Sequence, residues 1–270
     1  MSRESAGSRA EHGKKGILVV SFGTSYRESR EKTINAIEGD LMRAFPDRAF
    51  FSGWTSRMLT AKVKKNEGAD VRTVEEALRD IEQAGIEDLL VQPTHFTDGI
   101  ENRRLRKMLE ESSVQTIRLG GPLLSGEDGL TDMAKAVALT FSSVGEDEAV
   151  ALMGHGSPDK ESHIYLVLEE TLHSMGHENF FVATVEGRPG IEHIKEGISR
   201  HTFRRVWLAP LMVVAGDHAN NDLAGDGEDS WKSEIEKIGY ETEPYLHGLG
   251  ESEEIRKLYI KRAQEAECIR

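Results

Sequence analysis

Short apolar runs alternate with longer amphipathic stretches along nearly the whole chain. Strands are predicted at 16–23, 48–56, 87–95, 115–124, 148–156, 179–187, 204–214 and 240–250. Between them, apolar positions at helical spacing predict helices over 26–45, 57–66, 73–84, 101–111, 127–143, 159–176, 190–200, 230–238 and 251–267. Such βαβ alternation predicts parallel sheets with helices on both faces. The helix from 73 carries its own start signal. Thr73 is followed three residues later by Glu76, a capping box, with Leu78 and Ile81 as its apolar positions.

The pattern also repeats. VVSFGTS (19–25) parallels ALMGHGS (151–157), each an apolar strand ending in an aromatic or histidine, a glycine and a hydroxyl residue. VQPTHFTDGIENR (91–103) parallels LAPLMVVAGDHANND (208–222), with proline inside the run and a polar glycine turn after it. The expected fold is therefore α/β, with two similar domains at 16–126 and 127–270, each a parallel sheet flanked by helices. A cleft is expected between them, and the last helix is free to pack on the first domain. Duplicated α/β units set their switch-point loops across such a cleft.

Composition narrows the class. A chain of 270 residues is long enough for two modest domains. A formal charge of −13 argues against nucleic-acid partners, whose phosphates require clustered Lys and Arg. No apolar run approaches the ~20 residues that cross a bilayer, so no membrane is expected. The first residues, MSRESAGSRAEHGKKG, lack the apolar core of a secretion signal. The single cysteine, Cys268, can form no internal disulfide. These features point to the cytoplasm.

Three of the strand-like runs end in side chains able to hold a metal. His155 lies in LMGHGSP (152–158), Glu186 in FVATVEGRP (181–189) and His218 in LAPLMVVAGDHANND. Ligands of open α/β sheets bind outside the carboxyl ends of the strands, where residues distant in sequence converge. Two imidazoles and a carboxylate suit Co²⁺, Fe²⁺, Ni²⁺ or Zn²⁺ without choosing among them. A histidine near a strand end is more often a hydrogen-bonded structural residue than a ligand. Here Gly154 and Gly156 bracket His155 and permit close backbone approach. Around His218, the cluster Asp217, Asn220, Asn221 and Asp222 would be costly to bury unpaired, which favours a lined cleft.

Other motifs are absent. SFGTS has no glycine–lysine pair of a Walker loop, no G-x-G-x-x-G follows the first strand, and GHGS lacks the G-x-S-x-G elbow. His163, His173, His177 and His193 fall on polar helical stretches and are expected to be exposed. The His173/His177 spacing would at most form an incidental surface metal site.

SFGTS, MGHGS, VEGRP and above all PLMVVAGDHANNDLAGDGEDSWK (210–232) resemble the anaerobic sirohydrochlorin cobaltochelatases, a class II chelatase group related to ferrochelatase. The resemblance runs from about residue 16 to about residue 258. It implies insertion of Co²⁺ into sirohydrochlorin in cobalamin biosynthesis, with Fe²⁺ insertion for sirohaem, or a non-catalytic tetrapyrrole or metal carrier, as alternatives. It also implies His155, Glu186 and His218 as metal ligands and catalytic residues, with one histidine, His155, as proton acceptor. No cofactor is required. The metal is a substrate, and a homo-oligomer is compatible with this reading. Some members of the family carry an export signal, and the polar start of this chain differs from theirs.

Metal insertion must strip water from the ion, deprotonate two pyrrole nitrogens and deliver the metal into a bent macrocycle. A neutral imidazole can both hold the metal and accept a proton. An open set of two nitrogens and one oxygen lets go more readily than a closed thiolate cage. The carboxylates of sirohydrochlorin call for basic groups despite the acidic chain. Arg27, Arg30, Arg57, Arg103, Arg104 and Arg188 all follow predicted strand ends, where guanidinium forks can hold carboxylates. Ser21, Thr24 and Ser157, with the adjacent glycine-loop amides, are further candidates for those carboxylates. His95 and Glu101 are expected to face the metal ligands from the first half.

Overall fold

The apolar runs of each half become four parallel strands, in a computed structural model that describes residues 13–156 and 162–270. In the first sheet, β1 (Lys15–Ser21), β2 (Ala49–Trp54), β3 (Asp88–Pro93) and β4 (Thr116–Leu119) stand in the order β2-β1-β3-β4. In the second, β5 (Glu148–Gly156), β6 (Phe180–Glu186), β7 (Arg205–Pro210) and β8 (Glu241–Pro244) stand in the order β6-β5-β7-β8. Each sheet thus places its first strand between its second and third, so the duplicated motifs occupy equivalent strand ends. Between the first and third strands the connections diverge, which is where α/β sheets open a binding crevice.

Around the first sheet lie α1 (Arg27–Lys32), α2 (Ile34–Ala44), α3 (Arg57–Glu67), α4 (Val74–Gln83) and α5 (Ile100–Glu110). The second half contributes α6 (Gly126–Thr140), α7 (His163–Ser174), α8 (Ile191–Ile198), α9 (Trp231–Lys237) and α10 (Glu253–Gln264). Successive strand residues face opposite sides of a sheet, and three cores follow from that alternation. Leu18, Val20, Leu89 and Val91 pack under α4 and α5. Ala149, Ala151 and Met153 pack under α8 and α9. The opposite set, Ile17, Val19, Leu90, Val150 and Leu152, joins α2, α6, α7 and α10 in one cluster that spans both sheets. The buried faces on both sides explain why these strands read as nearly unbroken apolar runs.

The capping box at α4 is present: Thr73 Oγ1 accepts from Glu76 N at 3.2 Å, and Glu76 Oε2 accepts from Thr73 N at 2.8 Å. Elsewhere the elements are shorter than the pattern predicts. The helix over 26–45 breaks at Thr33, whose hydroxyl donates to the Ser29 carbonyl at 2.6 Å. Such local bonding by a β-branched residue competes with the helical ladder. The run 204–214 leaves the sheet at Pro210. Its continuation pairs with a different loop, as Leu249 N donates to Met212 O at 2.8 Å and Gly250 N to Val213 O at 3.0 Å. The 115–124 and 240–250 strands likewise end early, at Leu119 and Pro244.

The C-terminus crosses back to the first half. α10 packs on α2, α6 and β3, and the chain then adds β9 (Glu267–Cys268) antiparallel to β4. The sequence pattern extends that helix through 267, so this edge strand is a correction. Two residues paired by a short antiparallel ladder carry no periodic signal. Among the described residues, no helix is long and apolar enough to cross a membrane.

Candidate metal centre

β6 and β7 both pair with β5, so the ends of three adjacent strands bring the predicted ligands together. His155 is the penultimate residue of β5, Glu186 the last of β6, and Gly156 stands in register with Glu186. His218 follows the turn after β7 and opens a single π turn over Ala219–Leu223. One ligand atom from each of the three side chains lies within 4.8 Å of the others. The imidazole centroids are 4.9 Å apart with the rings nearly perpendicular, and His155 Nδ1 is 3.9 Å from Glu186 Oε2. Side-chain exposures of 53% for His155, 55% for Glu186 and 33% for His218 leave the cluster open to solvent and to a large ligand.

The backbone of this corner depends on glycine. Gly156 has φ of +83°, and a Cβ there would run into the carbonyl oxygen of Glu186. A Cβ on Gly154 would overlap the ring of Tyr165, which covers β5 from α7. The loop behind Glu186 is tied by Thr184, whose amide and hydroxyl both donate to Pro189 O, at 2.7 and 2.9 Å.

Around His218, Asp222 Oδ2 accepts from Nδ1 at 2.8 Å. Asp217 Oδ1 accepts from the Tyr26 hydroxyl at 3.2 Å and from Asn221 Nδ2 at 3.0 Å. The Tyr26 bond links the loop after β1 to the residue beside His218, so the carboxyl edges of the two sheets meet at this site. Sequence reasoning missed Tyr26 and gave Asp217 and Asp222 no separate role. The i,i+4 spacing of His218 and Asp222 on a helical turn was the available signal for the latter.

The remaining predicted residues take varied positions. Ser21 is buried and accepts from Thr94 Oγ1 at 3.0 Å, while Thr24 is buried and accepts from Tyr26 N at 3.1 Å. Both ring nitrogens of His95 are buried with no hydrogen-bond partner among the described residues. That desolvation lowers its pKa to about 4, against a smaller opposing effect of Glu101. Glu101 is paired with Arg104 at 3.1 Å. Arg57 is exposed and held by Glu75, and Arg27 by Glu31. Arg30 is buried against Glu67 and the Trp54 ring, which makes it structural. Arg103 donates to the Asp98 carbonyl. Arg188 is exposed two residues beyond Glu186 and has no ion pair among the described residues. Ser157 lies outside the described residues.

Two of the helical histidines are engaged, contrary to expectation. His193 Nε2 meets both oxygens of buried Glu169, at 2.9 and 3.0 Å, and its pKa is raised chiefly by that hydrogen bond. His173 Nε2 bonds the Phe180 carbonyl at 2.7 Å, which occupies one of the nitrogens the incidental metal site would use. A cavity of about 820 Å³ lined by Phe141, Met175, His177 and Phe203 lies at the amino ends of β5 and β6. It is at the far end of the sheet from the triad and contains none of its residues.

Among solved structures, SirB from Bacillus subtilis with Fe³⁺ has a TM-score of 0.65 at 14% identity, covering 93% of this chain and 95% of that one. CbiX, the terminal enzyme for biosynthesis of siroheme in denitrifying bacteria, has a TM-score of 0.56 at 14% identity, covering 93% and 99%. At that identity the likeness is one of fold. Two parallel sheets with an open His–Glu–His set at their carboxyl edge thus share the fold of these two proteins. The profile of the cobalt chelatase (CbiK) family matches residues 15–267, and the chain belongs to that family. Sirohydrochlorin cobaltochelatase of Salmonella typhimurium is 35% identical over 257 residues, 94% of this chain and 96% of that one. Sirohydrochlorin cobaltochelatase CbiKC of Nitratidesulfovibrio vulgaris is 30% identical over 250 residues, 89% and 86% respectively.

Proposed function

We propose that this protein is a sirohydrochlorin cobaltochelatase, a lyase that inserts Co²⁺ into sirohydrochlorin and releases two protons without a cofactor or nucleotide. The observation that carries the reading is the convergence of His155, Glu186 and His218 at three strand ends of a cobalt-chelatase-family chain. The imidazole lone pairs hold the ion, and the Glu186 carboxylate offsets its charge. His155, the more exposed of the two histidines and outside hydrogen-bonding distance of Glu186, takes a pyrrole proton as the macrocycle receives the metal. Because protonated imidazoles bind no metal, acidification weakens the site.

The macrocycle lies against the meeting carboxyl edges, with 16–126 and 127–270 as the two units that flank it. Arg188 is the best-supported anchor for a substrate carboxylate, since it stands beside Glu186 without an ion pair among the described residues. Arg57 reaches a carboxylate only by exchanging Glu75, and Glu101 is engaged with Arg104. Ser21 and Thr24 contribute through the loop they brace, and His95 as a buried imidazole kept neutral by desolvation. The working compartment in this reading is the cytoplasm, where a lone cysteine needs no partner.

Steady-state loss of sirohydrochlorin absorbance with Co²⁺, Fe²⁺, Ni²⁺ and Zn²⁺ is the deciding measurement. Multiple turnovers with Co²⁺ are expected; saturation at one equivalent per chain would identify a carrier, and preference for Fe²⁺ an iron chelatase. His218→Ala should abolish insertion while the melting temperature is kept, because a partly exposed imidazole adds little packing. Glu186→Gln should weaken metal binding more than tetrapyrrole binding, and equal loss of both would count against a ligand role.

A further inference from the structure

The two histidines of the cluster are held differently. His218 Nδ1 meets a carboxylate oxygen of Asp222 at 2.8 Å, and Asp222 has no other hydrogen-bond or ion-pair partner among the described residues. Among the described residues, His155 Nδ1 has one hydrogen-bond partner, the carbonyl of its neighbour Gly156 at 3.2 Å, and stands 3.9 Å from Glu186 Oε2, beyond hydrogen-bonding distance. An ionised carboxylate only accepts, so the proton of a neutral His218 ring sits on Nδ1 and the lone pair on Nε2. The π turn over Ala219–Leu223 fixes that pairing locally, with Asp222 four residues after the imidazole it holds. Single π turns of this kind recur at functional sites.

We propose that Asp222 is a positioning residue that presents His218 Nε2 to the incoming ion and makes His218 the firm ligand of the pair, leaving His155 as the ligand that lets go. A carboxylate on the outer nitrogen fixes ring orientation and strengthens the other nitrogen as a donor. Among the described residues His155 has no carboxylate within hydrogen-bonding distance of its ring, only the weaker support of a backbone carbonyl, and is held less firmly. The inference rests on the reading of His155, Glu186 and His218 as the metal site.

Its test is Co²⁺ binding to the full chain, followed by titration calorimetry and by the visible ligand-field spectrum, in the wild type, Asp222→Ala, Asp222→Asn, His218→Ala and the Asp222→Ala/His218→Ala double variant. Asp222→Ala should weaken Co²⁺ binding about 10–100-fold without lowering the melting temperature. Asp222→Asn, whose amide oxygen still accepts from Nδ1–H, should recover most of that loss. In the His218→Ala background, removing Asp222 should cost nothing further. Wild-type affinity in Asp222→Ala, or an equal further loss in the His218→Ala background, would overturn the proposal. If Asp222→Ala does not fold, Asp222→Asn replaces it in the same cycle, with a smaller loss expected and only when His218 is present. Unaltered Co²⁺ binding in His218→Ala would instead overturn the metal-site reading itself.

Discussion

At Gly156 the chain passes between His155 and the carbonyl of Glu186 with φ of +83°. Gly156→Ala therefore meets both backbone strain and a clash with main chain, which cannot swing aside as a side-chain tip can. We expect a loss of about 1–3 kcal/mol in stability, read by denaturant unfolding, together with weaker Co²⁺ binding as the His155 and Glu186 corner is pushed apart. Glu38 makes a different residue-scale case. Its carboxyl is pushed up to about 7 by burial, against a smaller opposing effect of Ser52. A folded-state value above the unfolded one, about 4.5, means that the native state binds more protons, so this contribution is present below about pH 4.5 and is lost as pH rises through about 7. Glu38→Gln should remove that slope and raise stability above neutrality by on the order of 1–3 kcal/mol. The difference between variant and wild-type unfolding curves across that range checks it, and parallel curves would refute it.

Elements are locked to one another by buried polar pairs placed where the strand ladder alone would leave gaps. Glu169 on α7 accepts from Val182 N of β6 and from His193 of α8, so one carboxylate joins three elements of the second sheet. β6 is the strand that ends in Glu186, which makes this lock a support of the site. The raised His193 pKa has the sign of a histidine gaining a partner. Its stabilisation is complete below the unfolded value of about 6.5 and is lost as pH rises through the higher folded value. His193→Gln should lower stability below about pH 6.5, where the pair contributes fully, and flatten the decline above it, as thermal melts at several pH values will show. Glu169→Ala should be far more damaging, because it strands a buried amide and an imidazole at once.

Over the whole molecule, the last helix fastens the two halves. Tyr259 on α10 is fully buried, and its hydroxyl donates to the Thr94 carbonyl at 2.8 Å, just beyond β3. Arg256 on the same helix bonds Asp40 of α2 at 2.6 Å. Tyr259→Phe should cost about 1–3 kcal/mol, the penalty for a buried carbonyl left without its donor. A single cooperative transition is expected for both proteins, since one apolar cluster spans both sheets. Separate melting of the halves in wild type would contradict that coupling.

Along the sequence, strand and helix order, the repeat and the three metal-capable side chains were all legible, because each is set by local periodicity or by placement at a strand's carboxyl end. His155, Glu186 and His218 needed only the rule that parallel strands deliver their ends to one edge. The neighbours of these side chains were decided in space. Arg30 and Arg188 follow strand ends alike in sequence, yet one is buried against Glu67 and the other is exposed beside Glu186. His95 reads as a loop histidine until the fold removes water from both its nitrogens. β9 exists only because α10 returns the chain to the open edge of β4. Periodicity records which face of an element is buried, whereas ion pairing, desolvation and edge pairing depend on what distant segment arrives there, and only the tertiary structure supplies that.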